Sequence, residues 1–324
     1  TLVKPGAVLS PDVVTPENVA RFHTLRGMLA CEAVALPWGD SLDREVVTSL
    51  TNPFPTPVES TLHWKIPEGW QVEPTQFAFN AAPGEKVIFR TKMTSPGAAR
   101  FPVPVLEGTV DNPESGKPLS LVRPLDLVPT VKAPHAKGKV VVDGDLAEWG
   151  ETLAMPLYYG VDYDVKDTAD LKASTRVMWD EEYFYVATEV EDNEFYQPYD
   201  GDVVWMADSV ELWIDHSNWS LSLTPKGPEV YVDERPDKNV DAVVQGVLLA
   251  VKRNGNKVVY EAAYPVSQLP QTPFVKGNVV RFSLLVNDAD SKGPLLKRHF
   301  AELTPGAGVH FKCPMVAVTL SGDK

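Results

Sequence analysis

Cysteine is nearly missing from this sequence: Cys31 and Cys313 are its only two in 324 residues. No Cys-x-x-Cys pair exists, which excludes thiol redox motifs and cysteine-rich zinc sites. A bond between the two would tie an early strand to the last one, and spacing alone leaves that pairing open. No run of about 18 apolar residues occurs, so no segment reads as a membrane helix. The N-terminus lacks a basic stretch followed by an apolar one, so no signal peptide is visible, and the start at Thr1 suggests a mature or trimmed chain. Positive charge is also short: 30 Lys and Arg face 44 Asp and Glu, a net charge of −14. Such a surface repels a nucleic-acid backbone and suits neutral sugars or cations, while also serving solubility. Signatures of catalysis are missing too. There is no Gly-x-Ser-x-Gly elbow, phosphate-binding loop or His-Glu-x-x-His motif, and the six histidines are scattered. Two carboxylates in a recognisable glycosidase pairing are not evident either. The expectation is a protein that is not an enzyme.

What the sequence does have is punctuation and alternation. Its 29 prolines and 21 glycines are spread along the chain. Between them the apolar period is two: Leu62, Trp64 and Ile66 share a face, as do Phe184, Val186, Thr188 and Val190, and Val280, Phe282, Leu284 and Val286. That alternation marks half-buried strands. One helix is predicted from Pro16 towards Leu29, with Thr15 as N-cap. The fold class is therefore all-β, in two β-sandwich domains. Residues 31–128 carry seven predicted short strands and form the first; 129–138, rich in Pro, Lys, His and Gly, is the linker; 139–324 is the second. Residues 1–30 fit neither and read as an N-terminal arm or the tail of a preceding domain.

Within the first domain, Thr51-Asn52-Pro53, Pro67-Glu68-Gly69-Trp70 and Pro83-Gly84-Glu85 resemble the Ig-like modules attached to bacterial glycoside hydrolases. The second domain carries four segments in order. Val140 to Trp149 holds Asp143-Gly144-Asp145, and Val177 to Ala187 is a strand, an acidic turn and a strand. Trp205-Met206-Ala207-Asp208-Ser209-Val210-Glu211-Leu212-Trp213-Ile214-Asp215 follows, and Tyr260 to Pro265 with Phe282 to Asp290 closes the set. Together these resemble the family 9 carbohydrate-binding modules over residues 139–320.

In the third segment Val210, Leu212 and Ile214 are expected to face the core, leaving Ser209, Glu211, Trp213 and Asp215 on the other face. Indole faces stack on the C–H surface of a pyranose and carboxylates accept its hydroxyls. The resemblance implies that Trp205 is one wall of an aromatic clamp and that Glu211 bonds the sugar. The second wall has no Trp; Gly308-Val309-His310-Phe311 stands there, with His310 and Phe311 as candidate substitutes. An Arg expected on the next strand has no match in Trp219-Ser220-Leu221-Ser222-Leu223. Tyr199 is a further candidate for lining the cleft.

Oxygen-rich loops at Glu191–Glu194, Asp200–Asp202 and Asn287–Asp290 suggest calcium assembled by the fold, with Asp192, Asp200 and Asp202 as candidate ligands. The resemblance implies structural calcium as well. The expected function is non-catalytic glycan or polysaccharide binding by the second domain, with the first as spacer. Expected partners are an upstream catalytic domain or other subunits, and the expected location is extracellular, cell-surface or periplasmic. The alternatives are a structural or assembly subunit with a degenerate sugar site, and a haem-binding sandwich using Met155, Met178 or Met206.

Overall fold

The structure, a computed structural model, describes residues 15–95, 97, 101–157, 170–234, 242–244, 246–290, 299–307 and 314–322. The chain forms two compact units, Thr1–Leu127 and Val128–Lys324. No helix among the described residues is long and apolar enough to cross a membrane.

In the first unit, helix α1 (Pro16–Arg26) starts as predicted: the Thr15 hydroxyl accepts from the Asn18 N–H at 3.2 Å. It stops one turn earlier than expected because Gly27 caps it, its N–H bonding back to the His23 carbonyl. The chain then enters β1 (Leu29–Cys31) and β2 (Ala33–Pro37). Seven further strands follow: β3 (Asp43–Thr51), β4 (Val58–Lys65), β5 (Gln71–Glu73), β6 (Gln76–Ala81), β7 (Lys86–Thr94), β8 (Val105–Asn112) and β9 (Lys117–Pro124). They make two four-stranded sheets, β1-β3-β7-β5 and β6-β4-β8-β9. Val46, Leu50 and Phe89 from the first sheet and Leu62, Phe79 and Leu106 from the second share one buried core. Of the residues before 31, Met28 and Leu29 are buried in that core and β1 pairs with β3. Asn52 shows why an Asn ends β3. Fully buried, it offers its amide to the Thr56, Ala81 and Ala82 carbonyls and accepts from the Phe54 N–H, so it holds two turns together.

The predicted linker is also corrected. Strand β10 (Asp126–Pro134) runs through most of it, and residues 130–134 pair in parallel with the last strand. Of its prolines, Pro134 is the last residue of the strand, and Pro129 lies just before the stretch that pairs with the last strand.

The second unit continues with β11 (Met155–Pro156), β12 (Leu171–Trp179), β13 (Tyr183–Asp192), β14 (Ser209–Ile214), β15 (Ser217–Thr224) and β16 (Gly227–Glu234). After these come β17 (Ala242–Val243), β18 (Leu248–Asn254), β19 (Lys257–Pro265), β20 (Val279–Asp288), β21 (His299–Glu302) and β22 (Val316–Ser321). One sheet has the order β11-β12-β13-β19-β18; the other runs β17-β16-β15-β14-β20-β22-β10, with β21 also on β20. Val210, Leu212 and Ile214 of β14, with Phe282, Leu284 and Val286 of β20, are all at most 2% exposed. Opposite them lie Phe184 and Val186 of β13 and Tyr260, Ala262 and Tyr264 of β19, also buried. Rings cross the gap: Phe184 meets Phe282 at 6.3 Å and Trp219 meets Tyr264 edge-on at 5.2 Å. This is the expected β-sandwich.

A third layer covers the outer face of the five-stranded sheet. Trp149, with Val140, Val142 and Leu146, packs on Met178, Tyr185, Ala187 and Ala263. Glu261, wholly buried, fastens it by accepting the Asp143 and Gly144 N–H groups at 3.0 and 2.9 Å and the Trp149 indole N–H at 2.8 Å. Gly144 has φ +77°, and a Cβ there would lie 2.7 Å from Lys252 Cβ, so this turn requires glycine.

Candidate functional site

The face of β14 turned away from the sandwich core carries Ser209, Glu211 and Trp213. Register sets their neighbours. On β15, Ser222, Ser220 and Asn218 stand opposite them; on β20, Asn287, Leu285 and Ser283 do. The face is therefore mostly small and polar, against an apolar face one residue away. All nine side chains are buried, Glu211 the most exposed at 6%. Asn287 donates to Glu211 Oε1 at 2.7 Å and to Ser209 Oγ at 3.1 Å, so the carboxylate is held upright between two strands. Ser220 reaches Asp233 at 3.2 Å on β16. Among the described residues, Asn218 Oδ1, Ser222 Oγ and Asn287 Oδ1 on this face are buried with no hydrogen-bond partner. Leaving a buried polar atom unpaired costs about 1–3 kcal/mol, so this face stores unmet hydrogen-bonding capacity.

At one end of this face, Glu229 of β16 lies opposite Ser222 and accepts from the Gly201 N–H at 2.7 Å. Gly201 opens a 3₁₀ turn, Gly201–Met206, which carries Trp205. Gln197 holds the turn's exit by donating to the Val204 and Asp208 carbonyls. Trp205 is 39% exposed, an unusual state for an indole in a unit whose other tryptophans, 149, 179, 213 and 219, are buried.

The other expected residues divide. Trp213 is corrected: on the predicted face, it is 3% exposed and packed with Leu285, Ala307, Phe300 and Met315, so its ring offers no free side. Asp215 is corrected as well. It sits in the β14–β15 turn at φ +51° and accepts from the Arg281 N–H and the Thr272 hydroxyl, which makes it a turn fastener. Tyr199 is half-buried beside the turn that bears Trp205, its N–H donating to Gln197. His310, Phe311 and Cys313 lie outside the described residues. Met155 and Met178 are buried, and Met178 of β12 packs against Trp149 in the layer outside the five-stranded sheet.

The predicted metal set is redrawn. Asp200 pairs with Lys226 at 2.8 Å, and Asp202 is exposed. Asp192 instead joins Asp208 and Asp288, all three buried, with carboxylate oxygens within 4.8 Å of one another. Burial first, then the Asp192 charge, pushes the Asp208 carboxyl up to about 9. Burial, then the charges of Asp192, Asp170 and Asp290, lifts Asp288 to about 7. Asp288 Oδ1 is buried without a hydrogen-bond partner. Hard oxygen donors gathered from three chain segments fit a calcium ion, which takes six to eight such oxygens. Two of the three loops were legible as oxygen-rich; Asp208 was not singled out, although it directly precedes the alternating strand β14.

A sandwich with one sheet face in the core and the other lined by buried hydroxyl, amide and carboxylate groups, beside an exposed indole, has the build of a small-ligand-binding module. The family model described as carbohydrate family 9 binding domain-like matches residues 142–314, more than half of the chain, and the chain belongs to that family. A curated relative, endo-1,4-beta-xylanase A of Thermotoga maritima, is 28% identical over 167 residues. That match takes in 48% of this chain and only 14% of the xylanase. Among solved structures, a family 9 carbohydrate-binding module of Caldicellulosiruptor kristjanssonii in complex with cellotriose is 18% identical with a TM-score of 0.46, over 60% of this chain and 95% of that one. A putative carbohydrate-binding protein of Bacteroides uniformis is 14% identical with a TM-score of 0.44, over 59% of this chain and 99% of that one.

Proposed function

We propose that the second unit binds a neutral glycan without transforming it, stacking one sugar ring on Trp205 and taking its hydroxyls with Glu211 and the polar groups around it. The observation that carries this reading is the exposed Trp205 indole at the end of the polar face of β14, β15 and β20, on which Asn287 holds Glu211. A sugar's hydroxyls both donate and accept, so they match this mixture of amide and hydroxyl groups. Family membership supports the same reading.

The first unit serves as a spacer in this reading, and calcium at Asp192, Asp208 and Asp288 holds the loops. A module of this kind works beside a catalytic domain or other subunits outside the cell, on polysaccharide. The test is a broad glycan array followed by titration of tryptophan fluorescence with cellotriose and xylo-oligosaccharides. Wild type shows saturable binding, and Trp205→Ala loses at least about tenfold in affinity, roughly 1.4 kcal/mol. An array without a single hit sinks the proposal.

A further inference from the structure

The acidic trio lies at the root of the polar face. Asp208 is the residue before Ser209, where β14 begins, and Asp288 is the residue after Asn287, where β20 ends. Asn287 is the side chain that holds Glu211, at 2.7 Å, and Ser209, at 3.1 Å. Asp208 reaches further: one carboxylate oxygen accepts from the Ala289 N–H at 2.9 Å and the other from the Tyr196 N–H at 2.5 Å. Its own carbonyl takes the Gln197 amide at 3.0 Å, and that amide also holds Val204 O at 2.9 Å, next to Trp205. Thus the indole and the carboxylate of the face are each three residues from Asp208, and the amide that orients the carboxylate adjoins Asp288.

We infer that a divalent cation on Asp192, Asp208 and Asp288 regulates glycan affinity by fixing Trp205, Glu211 and Asn287 relative to one another, an inference that rests on the glycan-binding reading. Beyond the close approach of the three carboxylates, an independent sign of a ligand is Asp288 Oδ1, which is buried, unpartnered and in a side chain 3% exposed. With the cation bound, the charges are neutralised and both strand ends share one anchor. Without it, the start of β14 and the end of β20 lose that shared anchor. Asn287, next to Asp288, and Glu211, three residues from Asp208, are then no longer fixed from one point. By linkage the effect is reciprocal: glycan tightens the cation by the same factor that the cation tightens glycan.

The experiment uses the full chain, stripped with a chelator and then supplied with calcium. Calcium titration without sugar gives heat and a raised Tm; cellotriose, or the best array hit, is then titrated with and without calcium. The expected result is a loss of about tenfold or more in glycan affinity on chelation, and an equal loss of calcium affinity when glycan is withheld. Asp192→Asn, which changes a trio residue away from the polar face, fixes glycan affinity near the chelated value whether or not calcium is present. Its near-ultraviolet circular dichroism reports folding, and the wild-type chelation arm stands if that variant fails to fold. Equal glycan affinity in calcium and chelator overturns the coupling while leaving glycan binding intact. Absence of calcium binding also overturns it. Calcium binding with no glycan bound in either condition overturns the coupling together with the glycan reading, a pattern distinct from both.

Discussion

Glu261 carries more of the second unit than a surface acid could, because it is wholly buried and accepts three N–H groups from a segment that has no strand of its own. Truncating Glu261→Ala leaves the Gly144 and Trp149 donors unpaired under cover. The expected loss is about 2–4 kcal/mol, and at roughly 2–4 °C per kcal/mol for a unit of this size, Tm falls by roughly 4–16 °C in calorimetry. Burial, the largest influence, raises this carboxyl above its ordinary 4.5, although its three hydrogen bonds pull the other way. With the folded value raised, the folded state holds the proton longer than the unfolded chain. Its contribution is therefore full below about pH 4.5 and drains away as pH rises through the folded value. The stability gap between wild type and Glu261→Gln, followed by urea unfolding, is expected to be largest in acid and to shrink as pH rises.

Strands β14, β15 and β20 show how one element serves two purposes through its period of two. One face is Val210, Leu212, Ile214, Trp219, Leu221, Phe282 and Leu284, all core; the other is the polar set. Because Ser222 Oγ is buried and has no partner, Ser222→Ala removes no bond and is expected to leave Tm unchanged or higher in calorimetry. A fall in Tm of several degrees would contradict that assignment. Much of the sandwich was readable from alternation: Phe184, Val186 and Thr188 share a face, as do Val280, Phe282 and Leu284, and each is buried. The serine–apolar alternation of Ser217 to Leu223 held the other half of the polar face, visible in sequence as soon as small polar residues are read as a lined surface. The trio was less legible, since Asp192, Asp208 and Asp288 come from the ends of three strands distant in sequence, and only pairing brings them together. The burial of Trp213 was hidden for a similar reason. Its cover comes from Phe300 in the four-residue strand β21 and from Ala307 and Met315 outside any strand, segments too short or irregular to carry a periodic signal.

Over the whole molecule, a charge of −14 sets which glycans can approach. The polar face adds its own acids, Glu211 with Glu229 and Asp233 on the neighbouring β16, so the local field has the same sign as the global one. A neutral oligosaccharide meets no net force from that field, and its hydrogen bonds and ring stacking act within a few ångströms. Salt, which screens charges over about 8 Å at physiological ionic strength, has little to screen in that case. Cellotriose affinity is therefore expected to change by less than about twofold between low and high sodium chloride, at fixed calcium. A uronic-acid-bearing oligosaccharide of the same length faces repulsion at every step of approach. It should bind more weakly at low salt and recover as salt rises, the opposite of the slope a basic, polyanion-binding surface gives. Parallel titrations of the two sugars over one salt series separate these cases. A uronate that binds more tightly than cellotriose, with affinity falling as salt is added, would mean that the acidic surface does not govern ligand choice.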